Sequence, residues 1–144
     1  MNSEQPDDRT GTGPRAVELV TEMARRFRAG DHEGAFALLH PRFRIQQPAS
    51  LPHGGWYDGA AGMAEMGTAF ARHWSRTIGE PRVLDCGDSA VQITEQTWTA
   101  AATGRSATVD VVELFAVADG LISEIRVFQQ DTHALLATLD PDGR

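Results

Sequence analysis

The stretch TGRSATVDVVELFAVADGLISEIRVFQQD, residues 103–131, decides the fold. It reads as two long strands, Ala107 to Val117 and Leu121 to Gln130, joined as a hairpin at Ala118-Asp119-Gly120. Alternate residues of a strand share a face. The first strand therefore sets Val111, Glu113 and Phe115 on one side and Val112 and Leu114 on the other. Apolar residues on both faces imply that both faces are covered. Glu113 is ordinary if its face meets water. If that face lines a pocket, Glu113 is a desolvated acid, and such a group is a candidate for proton chemistry or ligand binding.

Upstream, Val83 to Cys86 running on through Val91 to Ala100 reads as a further strand, with turn signals at Gly87-Asp88 and Thr103-Gly104. Downstream, Asp131 suits the N-cap of a short closing helix through Leu135, Leu136 and Leu139, a reading preferred to a base at a cavity mouth. The first half of the chain is helical. Pro14 opens a helix with Leu19, Val20, Met23 and Phe27 at helical spacing, and Gly30 ends it. Asp31 caps a shorter helix carrying Ala35, Phe36, Leu38 and Leu39, which His40-Pro41 stops. Phe43 to Gln47 reads as a short strand. Residues 48–59 read as a loop whose Leu51, His53, Trp56 and Tyr57 imply that it covers something. Asp58 caps a third helix with the stripe Met63, Met66, Phe70 and Trp74, closed by Gly79 and Pro81.

Helices followed by long antiparallel strands make an α+β arrangement: a strongly curved, mostly antiparallel sheet packed on three helices, enclosing a conical cavity. The length of 144 residues suits one domain over residues 14–140, preceded by a flexible polar arm at 1–13. No run is long enough to span a membrane. Cys86 is the single cysteine, which excludes an internal disulfide and a thiolate cluster. The five histidines lack metal-ligand spacing, so neither a metal nor a cofactor is expected. A net charge of −7 argues against nucleic acid and fits a small hydrophobic ligand as partner. The polar, acidic start lacks the basic and apolar regions of a signal peptide, so the expected location is cytoplasmic.

Several short motifs resemble the nuclear transport factor 2-like superfamily. They are Ala29-Gly30-Asp31, His40-Pro41, residues 48–55, Tyr57-Asp58-Gly59, Thr103-Gly104-Arg105 and Asp119-Gly120-Leu121-Ile122. Within it the chain is most similar to the SnoaL-like polyketide cyclase and ketosteroid isomerase group. The resemblance implies a cone-shaped α+β barrel, a deep apolar pocket, no required metal and a homodimer. It also implies functional positions, and these match unevenly. Where ketosteroid isomerases carry a catalytic Asp, a first-helix Tyr and a protonated Asp, this chain has Gln47, Met23 and Glu113. Where SnoaL-like cyclases carry an acid on the last strand, it has Val127.

Two function classes follow. One is a cofactor-independent isomerase or cyclase acting on a hydrophobic carbonyl compound. Glu113 would be its acid and His53 its candidate base, with Gln47, Trp56, Tyr57, Gln96, Trp98, Val127 and Gln129 around the substrate. The other is a non-catalytic ligand-binding or scaffold protein of the same fold. Arg105 is the alternative partner that would hold Glu113 ionised. The loop over residues 50–57 is expected to close the cavity mouth, and the outer sheet face to pair two copies.

Overall fold

A computed structural model describes residues 15–142. The proposed arm, and Pro14 as a helix start, lie outside the described residues. Helix α1 spans Ala16–Arg28 and buries Ala16, Leu19, Val20 and Met23, one face at helical spacing. Glu18 in its first turn reaches back to the Arg15 backbone N–H (3.1 Å), and Arg25, Arg26 and Arg28 crowd its last turn, as the helix dipole favours. Asp31 caps α2 (His32–Phe36), its carboxylate accepting from the Gly34 N–H.

Strand β1 is Leu39–Gln47, longer than the sequence implied. His40 and Pro41 therefore lie inside a strand rather than ending a helix. Pro41, which has no N–H, falls in the irregular stretch between Leu39 and Arg44 where the pairing of β1 shifts register. The His40 ring meets Asp119 of the last hairpin turn (3.1 Å). Gly55–Asp58, expected as loop, forms β2 against β1. Gly54 before it has no room for a side chain, because a Cβ there would sit 2.3 Å from the Pro48 carbonyl oxygen.

Helix α3 (Gly59–Ala71) ends sooner than its apolar stripe predicts, and Trp74–Ile78 is strand β3. The spacing of Met63, Met66, Phe70 and Trp74 fits a helix by coincidence. Trp74 instead opposes Ala100 across a strand pair, and its indole N–H donates to the Thr138 hydroxyl (2.8 Å). The strand read as running from Val83 to Ala100 is two: β4 (Arg82–Cys86) and β5 (Ser89–Ala100), folded back on each other at Gly87-Asp88. β6 (Ser106–Ala118) and β7 (Leu121–Gln129) form the expected hairpin, with Asp119 and Gly120 at φ 55° and 74°. Asp131 caps α4 (Thr132–Ala137) by accepting from the Ala134 N–H (3.0 Å).

The strands form one mixed sheet in the order β2-β1-β7-β6-β5-β3, with β4 pairing β5 beyond the stretch that β3 covers. The β1–β7 pair is parallel and the others antiparallel. The sheet curls into a half-barrel, with four helices among the described residues. α1 packs across β4 to β7 and α3 across β1 to β3, so the concave face is roofed by helices. At one end it is filled by an aromatic cluster of Phe70, Trp74 and Trp98. The rest of the cone is open.

Candidate functional site

A cavity of about 780 Å³ lies between the concave face, α1 to α3 and β3. Strand parity decides what lines it. β5 contributes Gln92, Thr94 and Gln96, and β6 contributes Val111, Glu113 and Phe115. β7 contributes Ile125, Val127 and Gln129, and β1 contributes Ile45 and Gln47. Cross-strand register sets these in rows. Gln92, Glu113 and Val127 are direct neighbours, as are Thr94, Val111 and Gln129. Met23 and Phe27 of α1 and Met63 and Met66 of α3 supply the apolar roof.

Among the described residues, Glu113 is the only carboxylate on this wall. Its Oε1 accepts from the Gln92 side-chain N–H (2.8 Å). Burial pushes its pKa above the ordinary carboxylate value, against the opposing pull of that hydrogen bond and of the Arg76 charge. Arg76 of β3 lines the cavity and is otherwise exposed. Burial lowers its pKa and Glu113 raises it, but the two do not form an ion pair. Arg105 is elsewhere, donating to the Ala137 carbonyl (2.7 Å).

The amides form two sets. Gln96 donates to Thr94 (2.9 Å) and accepts from the Trp98 indole N–H (2.9 Å), so it is held from both sides. Gln129 donates to Gln47 (3.3 Å), which in turn donates to the Met66 sulfur (3.3 Å), a weak acceptor. The side-chain oxygens of Gln92 and Gln129 are buried without a partner. Two unfilled acceptors beside one raised-pKa carboxyl give an apolar chamber several polar anchor points, the usual make-up of a small-molecule site.

Residues 20–125 match the SnoaL-like domain, well over half of the sequence. The chain belongs to the SnoaL-like family. No curated protein matches it. Solved structures share the fold at low identity. A nuclear transport factor 2-like protein from Burkholderia thailandensis is 20% identical, with a TM-score of 0.82, and the match covers 89% of this chain and 99% of that one. TerC, co-crystallised with polyporic acid, is 23% identical with a TM-score of 0.75, over 87% of this chain and 98% of its own. A protein from Xanthomonas campestris provisionally named a polyketide cyclase is 18% identical with a TM-score of 0.71, over 88% and 97%.

In this SnoaL-like cone the sequence-predicted residues divide cleanly. Glu113, Gln47, Gln96, Val127 and Gln129 meet on the cavity wall. Trp98 shares the inward face of β5 but sits beyond Gln96, buried in the aromatic cluster, and is tied to the cavity wall by its bond to Gln96. His53, expected as a base, is not on the wall. It is 2% exposed and packs against Phe70, Trp74 and Trp98 at centroid distances of 5.4, 5.9 and 5.8 Å. Its apolar cage, with the charges of Arg76 and His73 nearby, lowers its pKa to about 4. Tyr57 supports the same loop by donating to the His53 carbonyl (3.0 Å). Trp56 faces outward, 42% exposed, with the Arg44 guanidinium 4.0 Å from its ring centre.

The loop over residues 50–57 therefore plugs the aromatic end of the barrel and does not close the mouth. Leu51 and His53 are the side chains it buries in the core. Several wall residues were not anticipated, Gln92, Arg76 and His32 among them. Gln92 shares the parity of Gln96 and was readable from it. Arg76 was hidden by the mistaken helix over β3. His32, at the start of α2, was read only as a residue near a helix start. Among the described residues, no cluster of His, Cys, Asp or Glu is placed to hold a metal ion. Among the same residues, no helix is long and apolar enough to cross a membrane.

Proposed function

We propose that this SnoaL-like chain takes a largely apolar carbonyl compound into the cone and acts on it as a cofactor-independent isomerase or cyclase. Glu113 is the acid, hydrogen-bonding the carbonyl oxygen. The observation that carries this reading is the placement of one carboxyl, with its pKa raised by burial, on the stretch of inner sheet formed by β1 and β5 to β7, whose other cavity-lining side chains are uncharged. Gln92 holds one oxygen of that carboxyl, and the other has no protein hydrogen bond. In the step envisaged, a proton leaves the carbon beside the carbonyl and the electron pair moves onto the carbonyl oxygen. The Glu113 hydroxyl stabilises the resulting enolate until a proton returns at carbon. His32 is the other wall residue whose chemistry allows it to take up that proton.

The test is exchange of the α-protons of 2-tetralone for deuterium, followed by NMR. Wild-type protein is expected to accelerate exchange. Glu113→Gln keeps size and a weaker donor, so it should retain binding and lose about ten- to a hundredfold in rate. Unchanged exchange in the variant would remove Glu113 from the chemistry.

A second reading, non-catalytic ligand binding, is favoured by one feature. Gln47 and Met23 stand where the related isomerases carry an acid and a tyrosine, and Gln47 is engaged by another amide, Gln129. Binding of 2-tetralone with no acceleration of exchange selects it.

The same reading includes a homodimer through the outer sheet face. Leu84, Val91 and Leu114 form one cross-strand row there, and Ile93, Val112 and Phe128 the next. Leu84 is 41% and Phe128 49% exposed, so a continuous apolar strip is left uncovered by the helices. Sedimentation is expected to show a dimer at micromolar concentration. Phe128→Lys should convert it to monomer, and a wild-type monomer would overturn the pairing.

A further inference from the structure

Arg76 is a charge that a neutral substrate leaves without use. It stands on the concave side of β3, opposite Trp98, and lines the cavity. Its guanidinium carbon lies 4.9 Å from the centre of the Phe70 ring. Among the described residues it makes no hydrogen bond and no ion pair within 4.0 Å, although a guanidinium offers five donors. The surrounding wall sharpens the anomaly. The chain carries a net charge of −7, yet the titratable wall residues are Arg28, His32, Arg76 and Glu113. Arg28 has Glu80 as a partner at 3.3 Å, which leaves Arg76 as the cavity arginine without an ion pair, Glu113 acting on it only from a distance.

A guanidinium that lines an apolar chamber, rests on an aromatic ring and has no ion pair within 4.0 Å is open to an anion that arrives with the ligand. Its planar fork, stacked against an aromatic ring, suits bidentate capture of a carboxylate. We infer that the substrate is an amphipathic carboxylic acid whose carboxylate docks on Arg76 while its apolar body lies under Met23, Met63 and Met66. This rests on the reading of the cavity as a ligand site and names the class of compound it takes.

The experiment is titration calorimetry of the full chain at neutral pH with naphthalene-2-acetic acid and its isosteric amide, naphthalene-2-acetamide. The acid is expected to bind at least about tenfold more tightly than the amide. Arg76→Met should erase that preference by weakening the acid alone, while Arg28→Met should leave it in place. Should the methionine variant fail to fold, Arg76→Gln is expected to show the same loss. Equal affinities in the wild type, no binding of the acid, a preference that survives removal of Arg76, or one that disappears with Arg28 would each overturn the assignment. Turnover plays no part in this readout, so a failed charge preference leaves the Glu113 chemistry standing, and a failed exchange assay leaves the charge preference standing.

Discussion

Trp98→Ala is expected to destabilise the fold by about 4 kcal/mol, which for a domain of this size is a large share of the whole. Trp98 is 1% exposed and sits at the centre of the aromatic end of the barrel. Phe70 meets it edge-on at 4.9 Å and Trp74 at 5.0 Å with the rings tilted by 57°. Removing the indole opens a void between strands that cannot close without breaking the β3–β5 and β5–β6 ladders, so little relaxation is available. It also strips the donor from the Gln96 side-chain oxygen, leaving a buried acceptor unpaired. Trp98→Phe separates the two losses. It keeps most of the packing and is expected to cost about 1–2 kcal/mol, chiefly for the orphaned amide. Urea denaturation of the three proteins measures both. Equal losses in the two variants would show that the void contributes little beside the lost hydrogen bond.

The β6–β7 half of the molecule was legible because two signals agree there. A long run rich in β-branched and aromatic residues favours strands, and Asp119-Gly120 is a turn that only permissive residues enter. The errors cluster where a pattern is short or shared. β2 has four residues in a segment rich in Pro and Gly, too few to show a period. β3 was lost because Trp74 continues the spacing of α3 for one more turn. The β-branched Thr77 and Ile78 were the contrary signal, and they decide for a strand once β5 is present to pair with. The helix boundary at His40-Pro41 failed because a proline is tolerated wherever a ladder hydrogen bond is already missing, as it is at the β1 irregularity.

The site was legible to the extent that parity reaches. Knowing that Glu113 faces inward fixes Val111 and Phe115 on its own strand, and the register carries this to Gln92 and Val127 on the neighbours. Parity says nothing about loops. His53 and Trp56 were placed at the mouth on composition alone, and the chain turns one into the core and the other to solvent. A loop with much aromatic surface does cover something, but here it covers the closed end of the barrel. Arg76 was beyond reach for a different reason. A lone arginine in a polar stretch has no sequence signature, and its isolation shows only when its neighbours in space are known.

Stability is expected to fall as pH drops from 6.5 to 4, with His53 responsible for most of the loss in that window. Its ring is caged by Phe70, Trp74 and Trp98, and its Nδ1 is buried without a partner. Aromatic faces can welcome an imidazolium, worth about 2 kcal/mol in a desolvated site. Here burial strips the ring of water, and Arg76 and His73 add like charge. Desolvation wins, and the folded pKa drops from 6.5 to about 4. A depressed histidine pKa means that the unfolded chain takes up the proton first. The stabilisation is complete above 6.5 and vanishes progressively toward 4, about 3 kcal/mol in all. Glu113 works in the opposite direction, since its raised pKa favours the folded state at low pH. The salt-bridged Glu22, with its pKa lowered to about 2, weakens the fold only below 4.5, outside the window. His53→Phe fills the cage with a ring that does not titrate, and the bond from Tyr57 survives because it goes to the backbone carbonyl. Urea unfolding at stepped pH should therefore show a steep loss in the wild type and a nearly flat line in the variant. Parallel curves would mean that another group, not the caged imidazole, senses the acid.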